Sequence, residues 1–461
     1  MGQNLVDAVR AAGVIGAGGA GFPTHVKLAA RVDTVIANGA ECDPLLQCDQ
    51  RLMERHAVEL VRGLQLAMEA TGAAQGILAL KKEYRGAQAA LQRAMSSAQK
   101  AAGGQPALSM HLLDSRYPTG DEFVLVYETT GRVVPEASLP LHVGCLVQNV
   151  QTLFNINRAA EGRPVTHRLL TVAGAIARPV TLWAPVGTPI RDVLAWAGGI
   201  RPASWSQRTG EDYTVVVGGP MMGQVTGNLD EPVTKMTSGL LVLPNDSAVV
   251  RYLTRSRKSW VRRGVSTCDQ CRDCTDLCPR YLLGHDLKPH EVMRAVNYGL
   301  ERPASKVTAA ILCCECRLCE AYACPLELSP MSYYVAIKEQ LKALGWRPEK
   351  RQEGVSLEPH PMRDCRLVPT HRLIARLGLT EWEKQVCPLD EADYRPARVT
   401  IPLRHPRGIG VSAVPLVAVG QKVAAGDLIA HVPEGKLGAT VHASITGRVS
   451  QATEATVEIV A

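Results

Sequence analysis

Residues 268–279 read C-D-Q-C-R-D-C-T-D-L-C-P, and residues 313–325 read C-C-E-C-R-L-C-E-A-Y-A-C-P. Cys268, Cys271, Cys274 and Cys278 give the spacing C-x2-C-x2-C-x3-C, closed by Pro279. Cys313, Cys316, Cys319 and Cys324 repeat it with one extra residue before the last cysteine, closed by Pro325. Three thiolates on so short a loop converge on neighbouring irons of a four-iron cubane, while the fourth ligand comes from a distance and the proline turns the chain away. Paired C-x2-C units also suit zinc. Eight cysteines in two proline-terminated runs favour two [4Fe-4S] clusters instead. The doubled cysteine leaves two first ligands for the second run: Cys313 alone keeps the two-residue gap to Cys316, and Cys314 is the alternative.

Of the 14 cysteines in 461 residues, Cys42, Cys48, Cys145, Cys365 and Cys387 lie outside this segment. A disulfide framework is not expected. The start of the chain lacks a basic stretch followed by an apolar core, and no apolar run approaches the roughly 18 residues of a membrane helix, so the expected setting is the cytoplasm, where thiols stay reduced. Hydrophobic residues at 46% and charged residues at 21% describe globular domains. The net charge, 51 − 44 = +7, is too modest to suggest nucleic-acid binding. At roughly 100–200 residues per domain, the length calls for several domains.

Turn signals and periodicity divide the chain. Residues 1–165 have α/β texture: a short helix at 5–12, a glycine-dense loop, a strand at 32–37 and a long helix from 50 to about 71. Residues 166–248 form a small α+β module, with strands at 169–172, 180–183 and 215–217 and a helix at 190–196 ended by Gly198–Gly199. Residues 251–263 hold six basic residues, expected as a solvated face, and lead into the cluster domain at 255–345. Residues 346–396, rich in Pro, Arg and Glu, read as a loosely structured connector. Residues 397–461 alternate short apolar runs with Gly turns and read as a β module.

The glycine loop G-A-G-G-A-G-F-P-T at 16–24 is weak evidence by itself. It is followed by Lys27, by N-G-A-E-C-D-P at 38–44, by Y-P-T-G-D-E at 117–122 and by Q-N-V-Q-T at 148–152. Together these resemble the NADH-binding flavoprotein of respiratory complex I and the RnfC component of the Rnf complex. A resemblance over the whole chain, which includes G-G-P-M-M-G at 218–223 and the placing of the β module last, is to the cobalamin reductases of propanediol-utilisation microcompartments. In the Rnf component the related β module comes first.

The resemblance implies a multidomain α/β and α+β fold. Its parts are a flavin-binding α/β domain, a β-grasp (SLBB-like) module, a two-cluster ferredoxin-like helical module and a C-terminal barrel-sandwich β module. As in two-cluster ferredoxins, Cys324 would complete the first trio and Cys278 the second. FMN would bind non-covalently in the first domain. Backbone N–H groups of Gly16, Gly18 and Gly19 can approach it closely because no Cβ intervenes. Lys27 would meet its phosphate, and Asn38, Glu41, Tyr117, Gly120, Asn149 and Thr152 would surround ribityl and ring. Ala17 stands where the complex I loop carries arginine, so that contact is absent. Phe22 would stack on nicotinamide, its alternative being core packing, with Asp43 and Glu122 near the NADH ribose.

The C-terminal module resembles lipoyl-type barrel-sandwiches, yet His442-Ala443-Ser444 offers no lysine for a swinging arm, so packing or docking is expected. No D-x-H-x-x-G motif surrounds any histidine, so corrinoid binding through such a histidine is not expected. NADH gives electrons in pairs, corrinoid cobalt takes them singly, and flavin with cubane clusters converts between the two. The implied activity is NADH-dependent reduction of cobalamin, recycling B12 for a diol dehydratase inside a bacterial microcompartment. The implied partners are an adenosyltransferase and microcompartment shell or enzyme proteins. The alternatives are an Rnf-type electron-transfer component that couples NADH and ferredoxin, and a non-enzymatic iron–sulfur scaffold.

Overall fold

The computed structural model describes residues 2–101, 107–201, 209, 212–299, 304–346, 357–404 and 408–461. The first domain is built on strands β1 (Thr34–Gly39), β2 (Gln75–Lys81), β3 (Ala107–Leu113), the short β4 (Arg116–Tyr117) and β5 (Cys145–Asn149). β1, β2, β3 and β5 form one parallel sheet in the order 3-2-1-5. Its helices are α1 (Gly2–Ala11), α2 (Thr24–Leu28), α3 (Cys48–Arg55), α4 (Ala57–Thr71), α5 (Arg85–Ala101), α6 (Glu122–Thr130) and α7 (Val150–Ala160). Helices cover the sheet, so β1 reads as an unbroken apolar run, with Val35, Ile36 and Ala37 fully buried. The chain leaves β1 for β2 on one side and returns to β5 on the other. Such a reversal opens a crevice at the carboxyl ends of the two strands, here at Asn38 and Asn149.

The single long helix expected over 50–71 is two helices. The backbone leaves helical geometry at His56 (φ −118°, ψ 37°), whose ring packs 5.1 Å from Phe154 and 6.2 Å from Trp183. Both rings lie more than ninety residues away in sequence, so the local pattern gives no sign of the break.

The second module has β6 (His167–Gly174), β7 (Val180–Pro185), α8 (Ile190–Trp196), β8 (Tyr213–Val217), β9 (Gln224–Thr226) and β10 (Gly239–Pro244). The first and last long strands, β6 and β10, pair in parallel at its centre while the other pairs run antiparallel. α8 buries Ile190, Val193 and Leu194. This is the β-grasp arrangement.

The connector departs from expectation. Residues 347–356 lie outside the described segments, but 357–396 are packed. Val368–Pro369 pairs with β4, Thr370–Arg376 is a helix, and Leu389–Asp390 adds a strand to β7. The cause is a thin scatter of apolar residues among the Pro, Arg and Glu: Val368, Leu373, Ile374, Leu377, Leu379 and Trp382 are all buried. Gln385 exchanges hydrogen bonds with both the N–H and the C=O of Gly174, and Cys387 C=O accepts from Arg51. The connector is a strap across two domains.

The basic run is also less solvated than expected. It forms a helix at Arg257–Thr267, and Arg255 and Arg263 turn inward to the carbonyls of Glu327 and Leu326, just beyond the second cysteine run. Two small sheets form the last module: Arg398–Pro402, Lys422–Val423, Gly447–Ala452 and Thr456–Val460 make one, and Val414–Pro415, Leu428–His431 and Val441–His442 the other. Val399, Ile401, Ile429, Val457 and Ile459 fill the space between them. Its hairpin tip packs: Ser444 Oγ donates to Val186 C=O at 2.6 Å and His442 is buried.

Candidate functional site

The crevice at the ends of β1 and β5 gathers most of the residues singled out for the flavin. In the glycine loop, Gly16 N–H donates to Phe22 C=O at 2.9 Å and Ala17 N–H to Thr152 Oγ1 at 2.9 Å. A Cβ on Gly18 would stand 3.2 Å from the Asn149 Cβ. Asn149 caps α7, accepting from Gln151 N–H at 2.9 Å, and its Nδ2 donates to Asp49 Oδ2 at 2.7 Å. Asn38 holds the opposite wall: its Oδ1 accepts from Ala40 N–H at 3.1 Å and its Nδ2 donates to Gly120 C=O at 2.9 Å. Gly120 tolerates no side chain, since a Cβ would lie 2.4 Å from Ala40 O. Lys27 Nζ sits 3.0 Å from Glu122 Oε1 and 3.3 Å from Val147 O.

Glu41 accepts from the Cys48 thiol at 2.9 Å and from Asp49 N–H at 3.0 Å. Burial, reinforced by the charge of Asp49, pushes its carboxyl up to about 8. Burial raises Asp49 also, against the pull of Arg168 and Asn149. Two carboxyls so close together and so dry each raise the other's affinity for a proton. Sequence reasoning missed Asp49 and Arg168. Arg168, at the head of the apolar strand β6, donates from Nη2 to Ala17 C=O at 3.2 Å and from Nε to Thr237 C=O at 2.9 Å, pinning the glycine loop to the β-grasp module.

Asp43 is placed differently from expectation. Its oxygens accept from Met221 N–H at 2.9 Å and Met222 N–H at 3.2 Å, in the G-G-P-M-M-G loop, so the carboxylate is committed to a joint between domains rather than to an NADH ribose. Burial raises it to about 6. Phe22 is half-buried, neither a core ring nor a free one.

The crevice fits a polar cofactor. Thr24 Oγ1, Gln148 Nε2, both amide atoms of Gln151 and Arg168 Nη1 are buried without hydrogen-bond partners. Native folds rarely leave so many orphans together unless a ligand or water meets them.

In the cluster domain the two cysteine loops are backbone copies. Gln270 and Arg272 in the first, and Glu315 and Arg317 in the second, take positive φ between 59° and 74°. These positions match only when Cys313, not Cys314, is aligned with Cys268. The extra residue of the second run is absorbed as a π-turn over Cys319–Ala323, where the first run has an ordinary α-turn at Asp273–Asp276. An inserted residue in a helical turn is accommodated in this way. Cys324 is the thiol that acts most strongly on Cys274, ahead of Cys271, Cys268 and Cys278, and Cys316 feels Cys314, Cys278 and Cys313, so each fourth cysteine reaches the other run's trio. Cys324 Sγ accepts from Leu328 N–H at 3.3 Å and Cys313 Sγ from Glu315 N–H at 3.3 Å. No three of these thiols crowd within 4.8 Å of one another; among the described residues only Glu41, Cys48 and Asp49 do so. A tetrahedral zinc, with Zn–S of about 2.3 Å, needs sulfurs about 3.8 Å apart. The wider spacing and the all-thiol donor sets suit cubanes.

One loop joins the two sites. Tyr117 Oη donates to Cys316 C=O at 2.7 Å. Asp121 meets Arg280, next to Pro279, through two bonds of 2.9 and 3.0 Å. Arg280 also lies 3.8 Å over the Phe123 ring.

Comparison with known proteins gives four domain matches: a Nuo51 FMN-binding domain over residues 9–158, an SLBB domain over 169–225, a 4Fe-4S dicluster domain over 267–329 and an RnfC barrel-sandwich hybrid domain over 384–460. The cobalamin reductase PduS of Citrobacter freundii is 46% identical over 459 residues, 99% of this chain and 96% of that protein. The chain belongs to the cobalamin reductase family. The Salmonella typhimurium member is likewise 46% identical over 99% of this chain and 96% of its own length. A component of the Na+-translocating ferredoxin:NAD+ oxidoreductase complex of Acetobacterium woodii is 37% identical over 277 residues, 59% of this chain and 56% of that protein. The family and its domains make this chain an oxidoreductase with FMN and [4Fe-4S] clusters as cofactors. Among the described residues no helix is long and apolar enough to cross a membrane.

Proposed function

We propose that the protein oxidises NADH and passes electrons through FMN and two [4Fe-4S] clusters to cob(III)alamin and cob(II)alamin, recycling B12 for a diol dehydratase within a bacterial microcompartment. The observation that carries this reading is the loop at 116–123. Glu122 touches Lys27 in the flavin crevice, Tyr117 donates to the backbone carbonyl of Cys316 in the second cysteine run, and Asp121 pairs with the side chain of Arg280, two residues beyond Cys278 of the first. When bound, FMN supplies acceptance of a hydride pair and release of single electrons, and the clusters supply one-electron carriage.

The chain's own residues position that chemistry. Gly16, Gly18 and Gly19 bring backbone close to the flavin, and Lys27 meets its phosphate. Asn38, Tyr117, Gly120, Asn149 and Thr152 fix the crevice walls, and the buried carboxyls of Glu41 and Asp49 lie beside it, both raised by burial. Phe22 and Glu122 line the approach of the nicotinamide nucleotide. Cys278, Cys313, Cys316 and Cys319 hold the cluster nearer the flavin loop, and Cys268, Cys271, Cys274 and Cys324 the farther one. Cys271 is exposed, so the farther set is the natural exit.

Anaerobic addition of NADH to the holoprotein with cob(III)alamin should give the cob(II)alamin spectrum, with cob(I)alamin appearing efficiently only when an adenosyltransferase traps it. Cys271→Ala should lose this coupled reaction more than NADH oxidation. Faster reduction of ferredoxin than of cobalamin would overturn the reading in favour of an Rnf-type role.

A further inference from the structure

A cleft of about 500 Å³ opens between α1, His25 of α2 and the C-terminal module, and none of its lining residues is one assigned above to the flavin or to the clusters. Asp7, Arg10, His25, His431, Lys436 and His442 border it: two permanent cations and three imidazoles against one carboxylate. The side chains of Arg10, His431 and Lys436 are exposed, and no protein hydrogen bond or ion pair engages them among the described residues. Arg10 and Asp7 are one helical turn apart yet form no ion pair. His442 is only 7% exposed, and its Nδ1 has no hydrogen-bond partner.

The last carbonyls of α1 would ordinarily repel an anion at this place. Here they already have a donor: Thr440 Oγ1 lies 3.0 Å from both Arg10 O and Ala11 O, and just past the helix Lys235 Nζ donates to Gly13 O at 2.7 Å. Apart from the Asp7 carboxylate, what remains facing the cleft is donors and positive charge. A guanidinium fork and an ammonium on the border of one cleft match the charge and acceptor chemistry of phosphate oxygens, and the volume is that of a small-molecule site rather than of a lone ion.

We propose that this cleft is a binding site for a phosphate or pyrophosphate ester. Its chemistry is shared by two molecules of the proposed reaction: the pyrophosphate of a dinucleotide and the phosphodiester of the corrinoid's nucleotide loop. The choice between these sources rests on the functional reading above; the anion site itself does not.

The test is calorimetric titration of the full-length holoprotein with inorganic pyrophosphate, ADP-ribose, cobalamin and cobinamide, which lacks the phosphodiester. Arg10→Gln/Lys436→Gln should weaken pyrophosphate binding at least about tenfold, as expected for loss of charge-assisted contacts, with flavin and iron contents unchanged. Asp7→Asn should tighten it. ADP-ribose following the same order identifies the dinucleotide; cobalamin following it while cobinamide does not identifies the corrinoid. Pyrophosphate, ADP-ribose and cobalamin all binding the double variant as tightly as the unaltered protein, or none binding the unaltered protein, would overturn the proposal. If NADH fails to reduce cobalamin while the charge variants still shift pyrophosphate affinity, the functional reading falls and the cleft stands.

Discussion

The Asp121–Arg280 pair is the most sensitive point in the joint between flavin and clusters. Both side chains are nearly dry, at 14% and 8% exposure, and the contact is bidentate. Removing one member of a buried pair strands the other charge and costs about 3–5 kcal/mol. Asp121→Asn is a clean perturbation because Asp121 also caps α6, accepting from Phe123 N–H and Val124 N–H at 3.1 and 3.2 Å, and Asn caps a helix equally well. The stranded guanidinium keeps the Phe123 ring face, so the cost should fall near the lower end, about 3 kcal/mol. Arg280→Met should cost about as much, by leaving the carboxylate unpaired. The double variant strands neither charge and should cost about 3–4 kcal/mol rather than about 6, a coupling of about 2–3 kcal/mol.

The assay is anaerobic urea unfolding of the holoprotein, read by flavin fluorescence and by cluster bleaching. Stopped-flow mixing with NADH then gives the rate at which the clusters follow the flavin, which should fall in both single variants. A coupling below about 0.5 kcal/mol, or an unchanged rate, would refute the role assigned to this pair.

Cys314→Ser should keep two clusters, about eight irons per chain, whereas Cys313→Ser should keep about four; iron analysis decides, and the reverse pattern would show that the backbone alignment of the two loops misassigns the ligand. Lys27→Ala should weaken FMN binding by about 1–3 kcal/mol, lost with the charge-assisted contact, seen as flavin lost on gel filtration at unchanged iron content. Lys235, which donates to Gly13 and Thr440 carbonyls, is lowered by burial to about 7. The unfolded chain holds that proton up to about 10.5, so between these values it binds more protons than the folded one, and stability should rise with pH. In Lys235→Met that part of the rise in urea midpoint between pH 7 and 9 should vanish; an unchanged slope would mean that another group titrates there.

What the sequence discloses depends on the range of the constraint. The cysteine runs are legible because a cubane imposes its spacing within a dozen residues, and α8 because its terminator Gly198–Gly199 is adjacent, with positive φ at both positions. Asp43 was illegible because its partners, the N–H groups of Met221 and Met222, are 178 and 179 residues away. The connector reads as loose because its apolar residues are too sparse to make a periodic pattern, and they become a core only against β4 and β7. The one extra residue before Cys324 is plain in the sequence, but its absorption as a π-turn is not. Asp49 and Arg168 gave a faint signal at most, a charge at the edge of an apolar element.

The cause common to these failures also bears on electron transfer. Contacts between domains within a chain are mobile by default, yet a carrier chain works only if the spacing of its members is fixed. Here the fixing falls to the segment from Arg116 to Phe123. β4 pairs with the connector at Val368–Pro369, Tyr117 and Asp121 hold the cysteine loops, Gly120 C=O receives Asn38, and Glu122 meets Lys27. The flavin crevice and the nearer thiols therefore share one piece of backbone instead of meeting across a sliding interface. The farther set, Cys268, Cys271, Cys274 and Cys324 in the proposed assignment, ends at the exposed Cys271. Under the proposed function, a rigid entrance and an open exit would divide the labour: the residues of the fixed part would hold the flavin and the nearer cluster at a set spacing, and the acceptor would be free to come and go at the exposed end.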